Sequence, residues 1–324
     1  MSVKSDVLHI LESKKGESVS GEALAEMLGC SRAAVWKAVK SLREDGYEIE
    51  AVTNRGYCYA AGSRRLTEEG VRLALNRKDV LVRVLDDTPS TNQDAKTEAE
   101  KGAPHGSVIV AKAQSAGRGR RGRSFFSPSG GLYLSCILRP KIDLRNGQFL
   151  TTAAAVAVYR AVREVCGLEL DIKWVNDLYR NGRKICGILT EAGTDFETGE
   201  IRYAVVGIGV NLWIEPDELP EELAGIVGCI TDSREEAEAL DKSRLAASIV
   251  NHLLEEAASE TLSDVYIEKN IIPGHTIEIR DGQNVRTAFA VRIEADGRLL
   301  VQEADGTQSR LSFGEVSVRR ENTD

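Results

Sequence analysis

The usual residues of metal and covalent catalysis are scarce in this chain. Its four histidines, His9, His105, His252 and His275, lie far apart in sequence. That spacing argues against a histidine metal centre or a Ser-His-Asp triad, and the expected metal ligand set from protein side chains is none. Six cysteines are scattered at Cys30, Cys58, Cys136, Cys166, Cys186 and Cys229, with no Cys-x-x-Cys pair among them. Several sit inside apolar runs, as reduced, buried thiols of a cytoplasmic protein would. No apolar run is long enough to span a bilayer, so no membrane partner is expected. Met1 to Ile10 is polar and lacks the apolar core of a secretory signal. The formal net charge of -8 argues against a protein that coats nucleic acid generally, though not against a local basic patch.

A further absence is local. No Asp or Glu occurs from Gly102 to Ile142. Inside that gap stands Gly117-Arg118-Gly119-Arg120-Arg121-Gly122-Arg123, three glycines and four arginines in seven residues. Glycines let the backbone approach a ligand closely, and successive N–H groups can form a nest for oxyanions. Arginines add forked, permanently charged donors suited to phosphate and carboxylate. A solvated basic loop is the alternative. The flanking runs, Val108 to Ala111 and Leu132 to Leu138, read as strands, and Ser127-Pro128-Ser129-Gly130-Gly131 as a turn. The loop therefore connects core elements and is not a tail.

At 324 residues the chain is long enough for two or three domains. Three segments follow different patterns. Residues 1–62 read as helices over Val3 to Ser13 and Gly21 to Leu28, then a third helix capped by Ser31 and running to about Arg43. Val35, Val39 and Leu42 share one face of that helix. From Cys30 to Arg43 there are four basic residues and no acidic ones. Tyr47 to Val52 and Gly56 to Ala60 read as a hairpin with Thr53-Asn54-Arg55 at its turn. This order is that of a winged helix-turn-helix, whose third helix enters the major groove. Ser31, Arg32, Ala33, Lys37, Lys40, Arg43 and Arg55 are the expected DNA-contacting set. A helix-turn-helix reused for protein contacts is the alternative. Trp36, near the border of the apolar face, fits either packing or base contact.

Residues 65–270 alternate strands and helices, with an alanine-rich helix over Phe149 to Cys166, strands at Ile185 to Thr190 and Ile201 to Val210, and a helix over Ala246 to Ala257. This is a mixed α/β core. Residues 274–320 contain short strands separated by Asp281-Gly282, Asp296-Gly297 and Asp305-Gly306, the pattern of a small antiparallel barrel. The expected fold is thus α+β and multidomain.

Four motifs stand in order in the middle segment. Thr88-Pro89-Ser90-Thr91-Asn92 precedes the Arg/Gly loop. Lys173-Trp174-Val175-Asn176-Asp177 follows, with Arg183-Lys184-Ile185-Cys186-Gly187-Ile188-Leu189 just after it. Gly207-Ile208-Gly209-Val210-Asn211 comes last. With these residues the chain resembles the biotin protein ligase family over almost its whole length, in the form that couples the ligase to repression of biotin genes. The Arg/Gly loop followed by Ser127-Pro128 and Gly131-Leu132-Tyr133 is the most specific part of the likeness. The run Ser31 to Lys37 is similar to the repressor's recognition helix.

The resemblance implies a core like that of the class II synthetases and an SH3-like C-terminal barrel. It implies that biotin and ATP give biotinyl-5'-adenylate, and that the acyl group then passes to a lysine of a biotin carboxyl carrier protein. It assigns Lys184 and Arg118 as catalytic, where Lys184 alone would read as a strand-end surface lysine. Biotin would meet Ser90, Thr91, Asn92, Gln114, Arg118, Gly119, Arg120, Lys184 and Gly187. The adenylate would meet Arg118, Arg120, Arg121, Arg123, Phe125, Asn176, Gly209 and Asn211. Ser90, Thr91 and Asn92 also fit helix capping, Gln114 a strand end, and Asn176 and Asn211 turns. Asp177 would act as a base or orient Lys184. Mg²⁺ is expected on the phosphates.

The same resemblance implies an adenylate-promoted homodimer on palindromic operator DNA, with ordering of Arg118 to Phe125 favouring the dimer. A ligase whose winged helix has lost its operator, a ligand sensor without turnover and a lipoyl-type ligase are the alternatives. Two positions depart from the family pattern. Val175 replaces a usual proline and leaves the backbone before Asn176 less restricted. Phe125 replaces a usual tryptophan, keeping an aromatic face but losing the indole N–H.

Overall fold

The structure is a computed structural model that describes residues 2–318 apart from 53–54, 140–146, 195–200, 260, 282–283 and 313–314. Two compact units emerge. One comprises residues 1–78 and 238–247, the other 79–237 and 248–324. The first unit therefore takes in residues 65–78, beyond the boundary expected from sequence. Ser243 explains part of this: its hydroxyl accepts from the Thr67 amide at 3.1 Å and donates to the Arg65 carbonyl at 3.3 Å.

The first unit begins with α1 (Val3–Ser13), the two-residue strand β1 (Ser18–Val19), α2 (Gly21–Met27) and α3 (Arg32–Glu44). β2 (Ile49–Val52) and β3 (Gly56–Tyr59) form the expected hairpin, and β1 adds to it in the order β1-β3-β2. Thr53 and Asn54 of the expected turn lie outside the described residues. Each of the three helices starts on a serine, Ser2, Ser20 or Ser31, whose side chain accepts from an amide three residues on. Val35, Val39 and Leu42 are buried with Val7, Leu11, Leu24 and Tyr59 in one core. The spacing of the apolar residues thus fixes which face of α3 turns inward. Arg32, Ala33, Trp36, Lys37, Lys40 and Arg43 point outward. α4 (Glu68–Ala74) follows the hairpin, and its buried Glu69 accepts from Ser5 at 2.9 Å and meets His9 at 3.1 Å.

The second unit is built on β4 (Val82–Thr88), α5 (Thr91–Glu100), β5 (Val108–Gln114), β6 (Gly131–Leu138), α6 (Gly147–Cys166), β7 (Asp171–Lys173), β8 (Asp177–Arg180), β9 (Arg183–Thr194) and β10 (Ile201–Asn211). Its seven-stranded sheet has the order β4-β5-β6-β10-β9-β8-β7, with only the β4–β5 pair parallel. β6 is buried along its whole length, which its continuous apolar run predicts. Ala95 and Ala99 of α5 pack on Ile109, Ile137 and Val205 on one face of the sheet. α6 covers the other face, where Thr151 meets Thr190 at 2.8 Å.

Three helices come next in the chain: α7 (Arg234–Ala239), α8 (Lys242–Ala258) and α9 (Asp264–Glu268). β11 (Thr276–Asp281), β12 (Asn284–Ile293), β13 (Leu299–Gln302), β14 (Gln308–Leu311) and β15 (Glu315–Val318) form an antiparallel sheet in the order β14-β13-β12-β11-β15. Gly297 and Gly306 take positive φ at the Asp-Gly turns, while Gly282 lies outside the described residues. The Gly297 carbonyl accepts from Trp174 Nε1 at 2.9 Å and Gln148 at 2.7 Å, fastening this sheet to the core. Among the described residues no helix is long and apolar enough to cross a membrane.

Ser31 is the clearest local determinant of α3, with its hydroxyl accepting from the Ala34 amide at 3.2 Å. Ser31→Ala is expected to destabilise the first unit by about 1 kcal/mol, read from its chemical unfolding midpoint.

Candidate active site

The α5 face of the large sheet carries a cavity of about 470 Å³. Its floor is a pair of glycines. Gly187 on β9 and Gly209 on β10 stand directly opposite each other in register. The Phe125 ring lies over both: a β-carbon on Gly187 would come within 2.8 Å of Phe125 Cε2, and one on Gly209 would overlap the same ring. Phe125 is the group that approaches these two glycines closely. Tyr133 meets that ring edge-on, with centroids 6.4 Å apart and planes at 78°.

The Arg/Gly loop forms one wall. It closes on itself through Phe125 N–H to the Gly117 carbonyl at 2.9 Å and Gly119 N–H to the Arg123 carbonyl at 2.7 Å. Arg121 sits at φ 56°, a left-handed conformation uncommon for a non-glycine residue. Arg120 donates to Asn176 Oδ1 at 3.0 Å, tying the loop to the opposite wall. Asn176 in turn donates to the Ile188 carbonyl at 3.0 Å, so its side chain is a strap and not a turn residue alone. Lys184 Nζ lies 2.7 Å from Asp177 Oδ1, with both side chains mostly buried. The contact is an ion pair that places Asp177 beside Lys184. Val175 does not loosen this wall. It is buried, and its carbonyl accepts from Tyr266 at 3.0 Å.

Beneath the other end of the cavity runs a buried polar chain. Gln114 Oε1 accepts from the Thr91 amide at 3.0 Å and from the Thr91 hydroxyl at 3.1 Å. Gln114 Nε2 donates to Ser127 at 3.0 Å, and Ser127 donates to the Phe125 carbonyl at 2.8 Å. Ser135 reaches both Thr91 Oγ1 at 2.8 Å and Asn92 Oδ1 at 2.6 Å. Asn92 Nδ2 donates to Glu191 at 2.8 Å, and Glu191 pairs with Lys96 at 2.5 Å. Burial works to raise the Glu191 pKa, but hydrogen bonds from Lys96 and Asn92 outweigh it and hold the carboxyl below its usual range. Its stabilising effect is therefore present above the unfolded carboxylate pKa and is lost as pH falls through the lowered value.

Most residues expected at a ligand site meet here. Ser90, Thr91, Asn92, Gln114, Arg118, Gly119, Arg120, Arg121, Arg123, Phe125, Asn176, Lys184, Gly187 and Gly209 line the cavity. Ser90 occupies the N-cap position of α5 but its side chain makes no capping bond. Asn92 lines the cavity with its amide already engaged below it. Asn211 is the exception. It does not line the cavity, and its amide donates to the Gly228 carbonyl at 3.2 Å. It secures the segment whose Ile226 carbonyl accepts from the Lys184 amide at 2.8 Å. Sequence reasoning did not find Lys173, Arg280 or Val316, which also line the cavity. Arg280 and Val316 come from the C-terminal sheet, and only tertiary structure brings them there.

Among the described residues no cluster of three or more histidine, cysteine or carboxylate side chains is arranged to hold a metal ion. In the first unit, Arg32, Ala33, Lys37, Lys40, Arg43 and Arg55 are exposed, as a nucleic-acid interface requires, whereas the Ser31 side chain is engaged as a cap. Trp36 is 54% exposed, with Lys40 over its ring at 5.6 Å, so it does not belong to the core.

Residues 84–211 match the biotin/lipoate A/B protein ligase family, residues 3–58 an HTH domain, and residues 274–319 the biotin protein ligase C-terminal domain. The chain is similar to the bifunctional ligase/repressor BirA of Bacillus subtilis (strain 168), at 37% identity over 78% of this chain and 76% of that protein. It is also similar to BirA of Escherichia coli (strain K12), at 32% identity over 94% of each. The biotin protein ligase of Aquifex aeolicus, solved in complex with biotin and ATP, superposes with a TM-score of 0.61 at 25% identity, over 74% of this chain and 99% of that one.

Gly207 tests the geometry of the polar chain. A β-carbon there would overlap the Asn92 side-chain amide. Gly207→Ala is expected to destabilise the protein by about 1–3 kcal/mol in urea unfolding. Gly225→Ala, where no atom lies within 4 Å of the added carbon, is expected to be nearly neutral.

Proposed function

The chain belongs to the family of bifunctional biotin ligase/repressors, and on that premise we propose that it makes biotinyl-5'-adenylate and transfers biotin to a carrier-protein lysine. In the first step a biotin carboxylate oxygen attacks the α-phosphorus of ATP. The bond to the β-phosphate breaks and pyrophosphate leaves. In the second step the amine of one lysine on a biotin carboxyl carrier protein attacks the acyl carbon. AMP leaves and the amine loses its proton.

The carrying observation is the charge of the cavity. Among the described residues, Arg118, Arg120, Arg121, Arg123, Lys173, Lys184 and Arg280 line it, against the single carboxylate of Asp177. The obstacle to the first step is repulsion between a carboxylate and a polyphosphate. Two like charges 4 Å apart repel by about 4 kcal/mol at an effective dielectric constant of about 20. Fixed cations remove that barrier without forming a covalent intermediate on the protein. Lys184, oriented by Asp177, is proposed to meet the α-phosphate and the attacking carboxylate oxygen. Arg118 is proposed to span the same two groups. The Phe125 ring is proposed as the adenine platform, and Asn211 as an indirect support of the Lys184 strand.

The polar chain at Thr91 and Gln114 suits the ureido end of biotin, which carries both N–H donors and a carbonyl acceptor. Mg²⁺ is proposed to enter with ATP and to neutralise phosphate charge. Asp177 is the one lining carboxylate and already contacts Lys184, so phosphate oxygens and water would supply most of the cation's ligands.

The winged helix-turn-helix supports a second role as repressor of biotin genes. A single module reads a short half-site, so a homodimer on a palindromic operator is proposed, promoted by bound adenylate. Residues 1–62 carry 8 basic and 9 acidic side chains, which keeps the affinity of one module modest.

One experiment addresses both roles. The protein is incubated with biotin, ATP and a biotin carboxyl carrier domain, and in parallel with duplex DNA selected by the wild type from a random pool. The carrier is expected to gain one biotin by mass. The DNA is expected to shift only when biotin and ATP are present. Lys184→Met is expected to slow adenylate formation by about 100-fold or more. Arg32→Ala with Lys37→Ala is expected to abolish the shift and leave biotin transfer intact. Biotin transfer with no selected DNA would leave a ligase alone. No transfer would refute the enzyme.

A further inference from the structure

We infer that Glu191, held by Lys96, is a positioning residue that sets the direction of the hydrogen bonds beneath the cavity, and so makes the Thr91 hydroxyl oxygen an acceptor for a ligand N–H. The inference rests on the ligase reading and names a residue outside the cavity lining. Neither Glu191 nor Lys96 stands in any of the four motifs.

The argument is one of counting protons. A carboxylate accepts and cannot donate. Glu191 therefore admits only the NH₂ end of the Asn92 side chain, which it meets at 2.8 Å. The Leu189 carbonyl, 3.4 Å from the same nitrogen, enforces the same orientation. The Asn92 carbonyl oxygen must then face Ser135, which it does at 2.6 Å. Ser135 has one proton and two neighbours, Asn92 Oδ1 at 2.6 Å and Thr91 Oγ1 at 2.8 Å. The Asn92 oxygen can only accept, so it takes that proton. The Thr91 hydroxyl receives none from Ser135. It donates its own proton, to Ser135 Oγ at 2.8 Å or to Gln114 Oε1 at 3.1 Å, and keeps a lone pair for an incoming N–H.

Burial makes this direction firm. Thr91, Asn92 and Ser135 are all at least 95% buried, where an unmatched donor or acceptor costs more than it does in water. Gly207 exists in this arrangement as the gap through which the Asn92 amide passes. Lys96 keeps Glu191 ionised within the cluster at 2.5 Å. The ligand chemistry that suits the result is a cyclic urea, whose N–H groups need acceptors and whose carbonyl needs a donor. An isosteric amide at position 191 would permit the opposite orientation. Asn92 would turn its oxygen toward the new NH₂, Ser135 would donate to Thr91, and an acceptor site for the ligand would be lost.

The test is steady-state kinetics of biotin-dependent adenylate formation in the full chain. Glu191→Gln is expected to raise KM for biotin by about tenfold, the equivalent of one lost hydrogen bond. KM for ATP and kcat are expected to stay within about twofold of wild type. In a Ser135→Ala background Glu191→Gln is expected to leave KM for biotin unchanged, because no hydroxyl remains there to donate to Thr91. A merely structural role would lower stability and move both substrates together. The inference is overturned if KM for biotin in Glu191→Gln stays within about twofold, if KM for ATP rises as much, or if Glu191→Gln raises KM for biotin equally in the Ser135→Ala background. Wild-type protein that forms no adenylate overturns the ligase reading and this inference with it. Wild type that forms it while Glu191→Gln binds biotin normally overturns the inference alone.

Discussion

Seven cationic side chains share one cavity with one carboxylate, and their mutual repulsion is the constraint on which the rest of the site depends. Such a set holds its shape only if the scaffold anchors it. Asp177 anchors Lys184 and Asn176 anchors Arg120. Asn176 is itself bonded to the Ile188 backbone. The Arg/Gly loop is closed by its own backbone, through Phe125 N–H to Gly117 and Gly119 N–H to Arg123. Anionic substrates complete the charge balance that the protein leaves open. The same imbalance explains why catalysis requires no nucleophilic side chain: positioned charge is sufficient for attack by a carboxylate on a phosphate.

The floor of the cavity and the polar chain beneath it differ in chemistry. Two opposed glycines let an aromatic ring lie flat on the sheet, forming a surface without hydrogen-bonding demands. The buried chain from Phe125 through Ser127, Gln114, Thr91, Ser135 and Asn92 to Glu191 is all demand. The chain of contacts runs from the Arg/Gly loop to α5. The C-terminal sheet adds Arg280 and Val316 to the rim, and its Gly297 carbonyl holds Trp174 in the wall that carries Asn176. The C-terminal sheet is thus part of the catalytic unit.

Much of this was legible in the sequence where the signal is local. Serine caps and a three-and-four spacing fixed α3, Asp-Gly turns marked the C-terminal strands, and the Arg/Gly loop with Lys184 pointed to an anion site. The likeness to biotin protein ligases supplied the roles. What was not legible depended on contacts between distant segments. Asn92 reads equally as a cap or a ligand contact, and only the gap at Gly207 shows it reaching the sheet. Asn211 fits a phosphate contact by motif, yet its amide turns to Gly228. Trp36 stands near the apolar border by helical angle, and only packing shows that the core is filled without it. Glu191 carries no local signal, because its meaning comes from α5 lying across β9. The short strands β1, β7 and β8 were missed because two to four residues hold no period to read, and the longer β4 was missed as well. Val175 carries no proline restraint, and the bonds that hold it come from Tyr266, ninety-one residues away.

The central claim is that this cationic cavity joins a carboxylate to the α-phosphate of ATP. Exchange of labelled pyrophosphate into ATP tests it most directly, because exchange requires reversible adenylate formation and no carrier protein. The account predicts exchange that depends on biotin and is not supported by lipoate. Exchange without biotin, or none with biotin and ATP both present, would contradict it.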